Sequence, residues 1–161
     1  MANTFSDFGT LQLAARNDIS QAPNHKQYGG NLKWLDVKFS SITPTTSDVL
    51  FIARLPAGAR LIPELCSVDY TAPSSTAFTG KIGYYTSDTD TPTAVNDAAF
   101  GTALALGTAA GRKMFSEAGT IGTAFITPIQ FTTDVWITFT PTTVTAGSSH
   151  NETWHIAYAL A

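Results

Sequence analysis

The stretch Trp34-Leu35-Asp36-Val37-Lys38-Phe39 decides the fold class, because its apolar and polar residues alternate with a period of two. Every second residue from Leu35 onward is apolar, whereas Asp36 and Lys38 point the other way. This spacing is typical of a β-strand with one face buried and one face in water. The remainder of the chain repeats the pattern and therefore predicts an all-β protein.

Six further segments have strand character, namely residues 48–55, 60–71, 78–85, 125–131, 134–140 and 153–160. Turn and loop residues separate them, and Pro63 predicts an edge or a bulge near the start of the second. Residues 86–96 and 142–151 have the composition of long loops, and residues 97–106 fit either a short helix or an Ala-rich loop. Seven or eight short strands predict a two-sheet β-sandwich of jelly-roll type, with an immunoglobulin-like topology as the alternative.

The first 32 residues differ from the rest of the chain. They have loop chemistry, one possible helical turn at residues 14–20, and four spaced apolar residues: Phe5, Phe8, Leu11 and Leu13. So few apolar groups can dock on a surface but cannot form a core. We therefore predict an extended N-terminal arm over residues 1–32 and a β-sandwich domain over residues 33–161, with an unstructured terminus as the alternative for the arm.

Composition limits the possible partners. Hydrophobic residues make up 43% of the 161 residues, but charged residues make up only 13%, about half of the usual quarter. Either Thr and Ser solvate the surface, or part of the surface is covered by other chains. The net charge of −3 and the scattered basic residues predict no nucleic-acid partner. The sequence has no candidate membrane span and no secretory signal, so we expect a soluble protein made in a cytoplasm.

Catalytic motifs are absent from the sequence. No nucleophile elbow, phosphate loop or dinucleotide fingerprint is present, so we predict no enzymatic activity and no cofactor. The three histidines, His25, His150 and His155, lack the spacing of a zinc site and are expected in solvent or at an interface. The lone Cys66 lies in an apolar alternating run, which predicts a buried thiol.

Three aspartates, Asp88, Asp90 and Asp97, are the best candidates for a calcium loop. Neither the glycine nor the closing glutamate of such a loop is present, so a solvated acidic loop is favoured and no metal is predicted.

Two tryptophans are the best candidates for surface contacts. Trp34 and Trp136 lie on the faces opposite the apolar rows of their predicted strands, whereas Trp154 belongs to an apolar row. Exposed aromatic rings bind either protein partners or sugars. Trp34 and Trp136 are therefore candidate interaction residues together with the four apolar residues of the arm.

Several short motifs resemble those of small virion structural proteins of tailed bacteriophages. They are the Leu55-Pro56-Ala57-Gly58 strand exit within residues 53–62, residues 80–85, the Asp88 loop, residues 97–100 and residues 136–140. The resemblance covers about residues 48–161. Such proteins are often jelly-roll capsid decoration (cement) proteins.

The resemblance implies a location on the capsid surface of a virion assembled in the cytoplasm of the host bacterium. It also implies binding to the major capsid protein, self-association as a homotrimer, and no catalytic residues. A carbohydrate- or receptor-binding module of a phage tail or fibre is the alternative function, with a glycan as its ligand.

Overall fold

The computed structural model describes residues 31–72, 78–86, 92–106, 109–126, 129–143 and 149–160. Within these ranges the chain forms nine strands: β1 Asn31–Ile42, β2 Leu50–Leu55, β3 Ala59–Leu61, β4 Ser67–Tyr70, β5 Phe78–Thr86, β6 Ala94–Leu106, β7 Gly111–Met114, β8 Val135–Thr143 and β9 His150–Leu160. Two 3₁₀ turns, Pro63–Leu65 and Phe115–Glu117, and one short helix, α1 Thr123–Ile126, complete the described structure.

The strands form two antiparallel sheets. Sheet A has the order β1-β9-β4-β7, with β3 also pairing with β9, and sheet B has the order β2-β8-β5-β6. Apart from β3, the pairs are nested, so that β1 joins β9, β2 joins β8, β4 joins β7 and β5 joins β6. This is the arrangement of an eight-stranded jelly roll and not that of the immunoglobulin fold. The prediction of an all-β, two-sheet sandwich is confirmed.

The core lies between the sheets and is built from the alternating rows. In β9, Trp154 and Ile156 are fully buried, and in β8 the same is true of Ile137 and Phe139. The rings of Trp154 and Phe139 meet across the sheets with their centroids 5.2 Å apart. Burial of such side chains stabilises the fold by about 1.5–3 kcal/mol each.

Cys66 fills the gap in sheet A between β3 and β4. Its sulfur accepts a hydrogen bond from the Ala157 N–H at 3.3 Å, at the point where β9 changes partner from β4 to β3. Burial raises the pKa of the Cys66 thiol to about 12. The predicted buried thiol is confirmed, and it binds the β9 backbone between the segments that pair with β4 and β3.

Residues 97–106 are neither a helix nor a loop but part of β6, the longest strand described. Phe100, Leu104 and Leu106 are buried, whereas Thr102 and Ala105 are exposed. The many alanines hid this alternation, because alanine does not distinguish the two faces of a strand.

Two other strand predictions were wrong in part. The described residues of the segment 125–131 do not form a strand: α1 ends at Ile126, and Gln130 forms only an isolated bridge to Arg60. The sequence carries Pro128 in this segment, and a proline cannot donate to a sheet ladder. Residues 60–71 are divided into β3 and β4 because Pro63 begins a 3₁₀ turn instead of sitting at a strand edge.

Gly83 is required where β6 bulges towards β5. Ile82 pairs with Gly101 but Tyr84 pairs with Asn96, so extra residues of β6 are accommodated beside Gly83. A Cβ added at Gly83 would overlap the backbone of Asn96 and Asp97. No flexible side chain can relieve this overlap, because the obstacle is main chain.

We expect Gly83→Ala to lower the free energy of unfolding by at least about 2 kcal/mol, since the strand pair has to separate to admit the methyl group. Urea denaturation measures the change. Gly111→Ala is the matched control, because its Cβ would come no closer than 3.4 Å to the nearest side chain. Equal effects of the two substitutions would contradict the account of the bulge.

Candidate interaction surface

The outer face of sheet A carries exposed apolar side chains at one end. The strand register places Trp34 beside Ala157 and Leu32 beside Ala159. Trp34 is 53% exposed and Leu32 is 42% exposed. Leu65, which is also exposed, belongs to the turn that flanks Ala157 on the other side of β9. We call Leu32, Trp34 and Leu65 the Trp34 patch.

The Trp34 patch contains three of the five large apolar side chains that are exposed among the described residues. The other two are Val95 and Ile121. Trp34 faces outward because the inner positions of β1 belong to the alternating row that begins at Leu35. The predicted outward placement of Trp34 is therefore confirmed, while its role in binding stays a prediction.

A row of charged side chains lies next to the Trp34 patch and crosses all four main strands of sheet A. Asp36 lies 2.7 Å from Nδ1 of His155, and Asp69 lies 3.1 Å from Nε2 of the same ring. Arg112 binds Asp69 through both Nε and Nη2, the latter at 2.6 Å. We call Asp36, His155, Asp69 and Arg112 the charged row. It joins β1, β9, β4 and β7 on their outer side.

The side chains of the charged row pair with one another across the strands of sheet A. A neutral imidazole has a single N–H, so His155 can donate to both aspartates only when it is protonated. The hydrogen bond from Arg112 is the main cause that lowers the pKa of Asp69 to about 2. An apolar patch bordered by fixed charges has the anatomy of a protein–protein contact.

Sequence reasoning missed the charged row. Asp36 and His155 are 119 residues apart in the sequence, and only the register of β1 against β9 brings them together. Arg112 lies in β7, a strand that was not predicted.

Trp136 lies on the outer face of sheet B, on the side of the sandwich opposite Trp34. Its ring packs edge-on against Phe51 at 5.9 Å, and Phe51 packs in the same way against Tyr85 at 5.6 Å. These contacts leave Trp136 only half-buried. Because the two tryptophans lie on opposite faces, they cannot form a single sugar-binding platform.

The remaining candidate interaction residues, Phe5, Phe8, Leu11 and Leu13, lie outside the described residues, as do His25, Asp88 and Asp90. Asp97 is described and forms an ion pair with Lys81 at 2.9 Å. In the described part of the chain, no group of three or more His, Cys, Asp and Glu side chains could hold a metal ion. The described helices include none that is long and apolar enough to cross a membrane.

His150 is not in solvent or in a loop, as the sequence suggested, but begins β9 and is buried. Its Nε2 lies 2.8 Å from Oε1 of Glu152, and Oε2 of Glu152 accepts a hydrogen bond from the Trp154 indole at 2.8 Å. Glu152 is fully buried. The three side chains satisfy one another's hydrogen bonds inside the core. Polar residues are therefore tolerated at positions of β9 whose side chains face inward.

We expect Glu152→Ala to lower the free energy of unfolding by about 3 kcal/mol, because the buried indole N–H and the imidazole lose their acceptor. Thermal and urea unfolding measure the loss. The exposed Glu64→Ala serves as the control and should change stability by less than about 0.5 kcal/mol. A loss equally small at Glu152 would show that the cluster does not support the core.

The Asp69 carboxyl should titrate near a pKa of about 2 instead of its ordinary 3.8. Its contribution to stability is then present above the unfolded-state pKa and is lost as the pH falls from about 3.8 to about 2. Arg112→Ala should raise the pKa of Asp69, which carbon-13 NMR of the carboxyl group measures. Lys113→Ala, which removes the neighbouring cation paired with Glu117, should leave the pKa unchanged. An unchanged pKa in Arg112→Ala would contradict the assigned cause.

Comparison with known proteins supplies a structural relative. A chain of the capsid of Ralstonia phage GP4 aligns with a TM-score of 0.58 and 17% identity, over 82% of this chain and 86% of that chain. Chains of the acidic stable capsid structure of Helicobacter pylori bacteriophage KHP30 and of the Cyanophage Pam1 capsid asymmetric unit align with TM-scores of 0.43 and 0.39, at 11% and 18% identity. They cover 80% and 87% of this chain, and 87% and 91% of their own. No family model and no curated protein matches the chain. The first similarity shows that the jelly-roll fold is shared with a phage capsid chain.

Proposed function

We propose that this chain is a non-enzymatic structural protein of a phage virion, and specifically a capsid cement (decoration) protein. In this role it binds the major capsid protein and associates with copies of itself, as a homotrimer. The observation that carries the proposal is the fold shared with a chain of the capsid of Ralstonia phage GP4 over more than four-fifths of both chains. The motifs that resemble phage virion proteins support it independently.

The surface of the domain suits this function. Only 13% of the residues are charged, and the outer face of sheet A presents the Trp34 patch next to the charged row. The apolar part supplies contact energy, and the charged part supplies orientation and specificity. Many such modest contacts, repeated over a shell, add up to a large stabilisation of the assembly.

In this proposal the N-terminal residues form an extended arm that lengthens the reach of each copy. Thirty residues precede β1, and in an extended conformation they span about 100 Å. A domain of this size has a radius of gyration of about 14 Å. The arm can therefore contact a neighbouring subunit, with Phe5, Phe8, Leu11 and Leu13 as its anchors.

The exposed ring of Trp34 also suits a sugar-binding module of a tail or fibre, which is the second candidate function. The number of copies in the particle separates the two candidates. We expect mass spectrometry of purified virions to find the chain in hundreds of copies, as a shell component requires. A dozen copies or fewer, together with binding to a glycan array, would instead support the tail module.

We expect Trp34→Ala to weaken self-association or shell binding at least tenfold, because a central aromatic contact contributes about 2 kcal/mol or more to an interface. Light scattering over a concentration series and sedimentation with shells measure the two affinities. The melting temperature should change little, since the side chain is 53% exposed.

Val95→Ala is the control for this experiment, because Val95 is equally exposed but lies in β6 of sheet B. It should leave both affinities unchanged. If the Trp34→Ala protein associates as tightly as the unaltered chain, the Trp34 patch is not part of the interface.

A further inference from the structure

The sandwich is open along one side. β1 and β2 are the edge strands of sheets A and B on this side and contact each other. The inward-facing side chains of β1, Leu35 and Val37, are only half-buried, whereas their partners in β9, Ile156 and Trp154, are completely buried. The core therefore ends here in apolar groups that are incompletely covered.

Four such groups lie on the two edge strands. We call them the β1–β2 seam: Leu35, Val37, Phe39 and Leu50, all half-buried and all packed against the core. The charges Asp36 and Lys38, by contrast, lie on the outer face of β1, and Lys33 continues the inner row at the start of the strand, before the seam begins. A segment that covers the seam needs apolar side chains pointing inward and no charge among them.

The edge of β1 is suited to accept another strand. From Asn31 to Phe39 its register against β9 is unbroken, and a shift occurs only between Phe39 and Ile42. β2 is shorter, and its register is interrupted between Phe51 and Ala53. Among the described strands, β1 pairs with β9 alone. A long regular edge is the template on which a peptide adds as a further strand.

The arm contains a segment with the matching pattern. In residues 10–14, Leu11 and Leu13 alternate with Thr10 and Gln12, and the segment has no charge. Two leucines at a spacing of two residues can extend the row formed by Leu35 and Val37. A further 16 residues separate residue 14 from β1, which span about 50 Å when extended.

We propose that residues 10–14 of a second copy of this chain add as a strand to the free edge of β1, with Leu11 and Leu13 covering the β1–β2 seam. The proposal rests on the proposed self-association, and it specifies where the arm binds and which of its faces turns inward. Each copy then donates one strand and accepts one.

The experiment compares three full-length proteins: the unaltered chain, the double variant Leu11→Asn/Leu13→Asn, and the control Thr10→Asn/Gln12→Asn. Both variants place two asparagines in the same segment and differ only in the face that they change. Light scattering over a concentration series gives the oligomeric state, and hydrogen exchange with mass spectrometry gives the protection of the β1 amides.

We expect the leucine variant to require at least about tenfold higher concentration to associate and to lose protection in β1. The control should behave as the unaltered chain does. If the leucine variant loses association but keeps the protection of the β1 amides, the arm mediates self-association at some other surface. That result would overturn the seam as the docking site. Equal losses of association and of β1 protection in the two variants would contradict a strand-like alternation of residues 10–14. A monomeric unaltered chain with protected β1 amides would show that the arm covers its own domain and would overturn the exchange between copies.

Discussion

The contact of Trp154 with Phe139 between the two sheets is the interaction on which the rest of the structure depends. β9 contributes Trp154 and pairs with β1, β3 and β4, so it lies at the centre of sheet A. β8 contributes Phe139 and lies between β2 and β5 in sheet B. Packing these two strands face to face fixes the inside and the outside of every neighbour, because side chains alternate along each strand.

The surface follows from this constraint. With Trp154 and Ile156 turned inward, His155 and Ala157 have to face outward, and the register then brings Asp36 and Trp34 beside them. The same strand thus carries the polar cluster of Glu152 inside and part of the charged row outside. The proposed binding function depends on the outer faces of the sheets, since the interior is filled by side chains.

The strands with strict alternation could be predicted from the sequence, but sheet partners could not. β1, β8 and β9 were recognisable because apolar side chains at every second position show where the core lies. β6 was not, because alanine and glycine occupy several of its positions. The charged row and the Cys66 bridge to β9 depend on pairs distant in sequence, which no local pattern shows. Trp34 and Trp136 were placed correctly as outward-facing residues, but their separation onto opposite faces depends on the topology of the two sheets.

Radical footprinting of Trp34 tests the central claim most directly, namely that other chains cover the outer face of sheet A. The labelling of Trp34 is compared between the dilute isolated protein and the assembled particle, with Trp136 as the internal reference. We expect labelling of Trp34 to fall sharply on assembly while that of Trp136 changes little. Equal labelling of Trp34 in the two states would contradict the account.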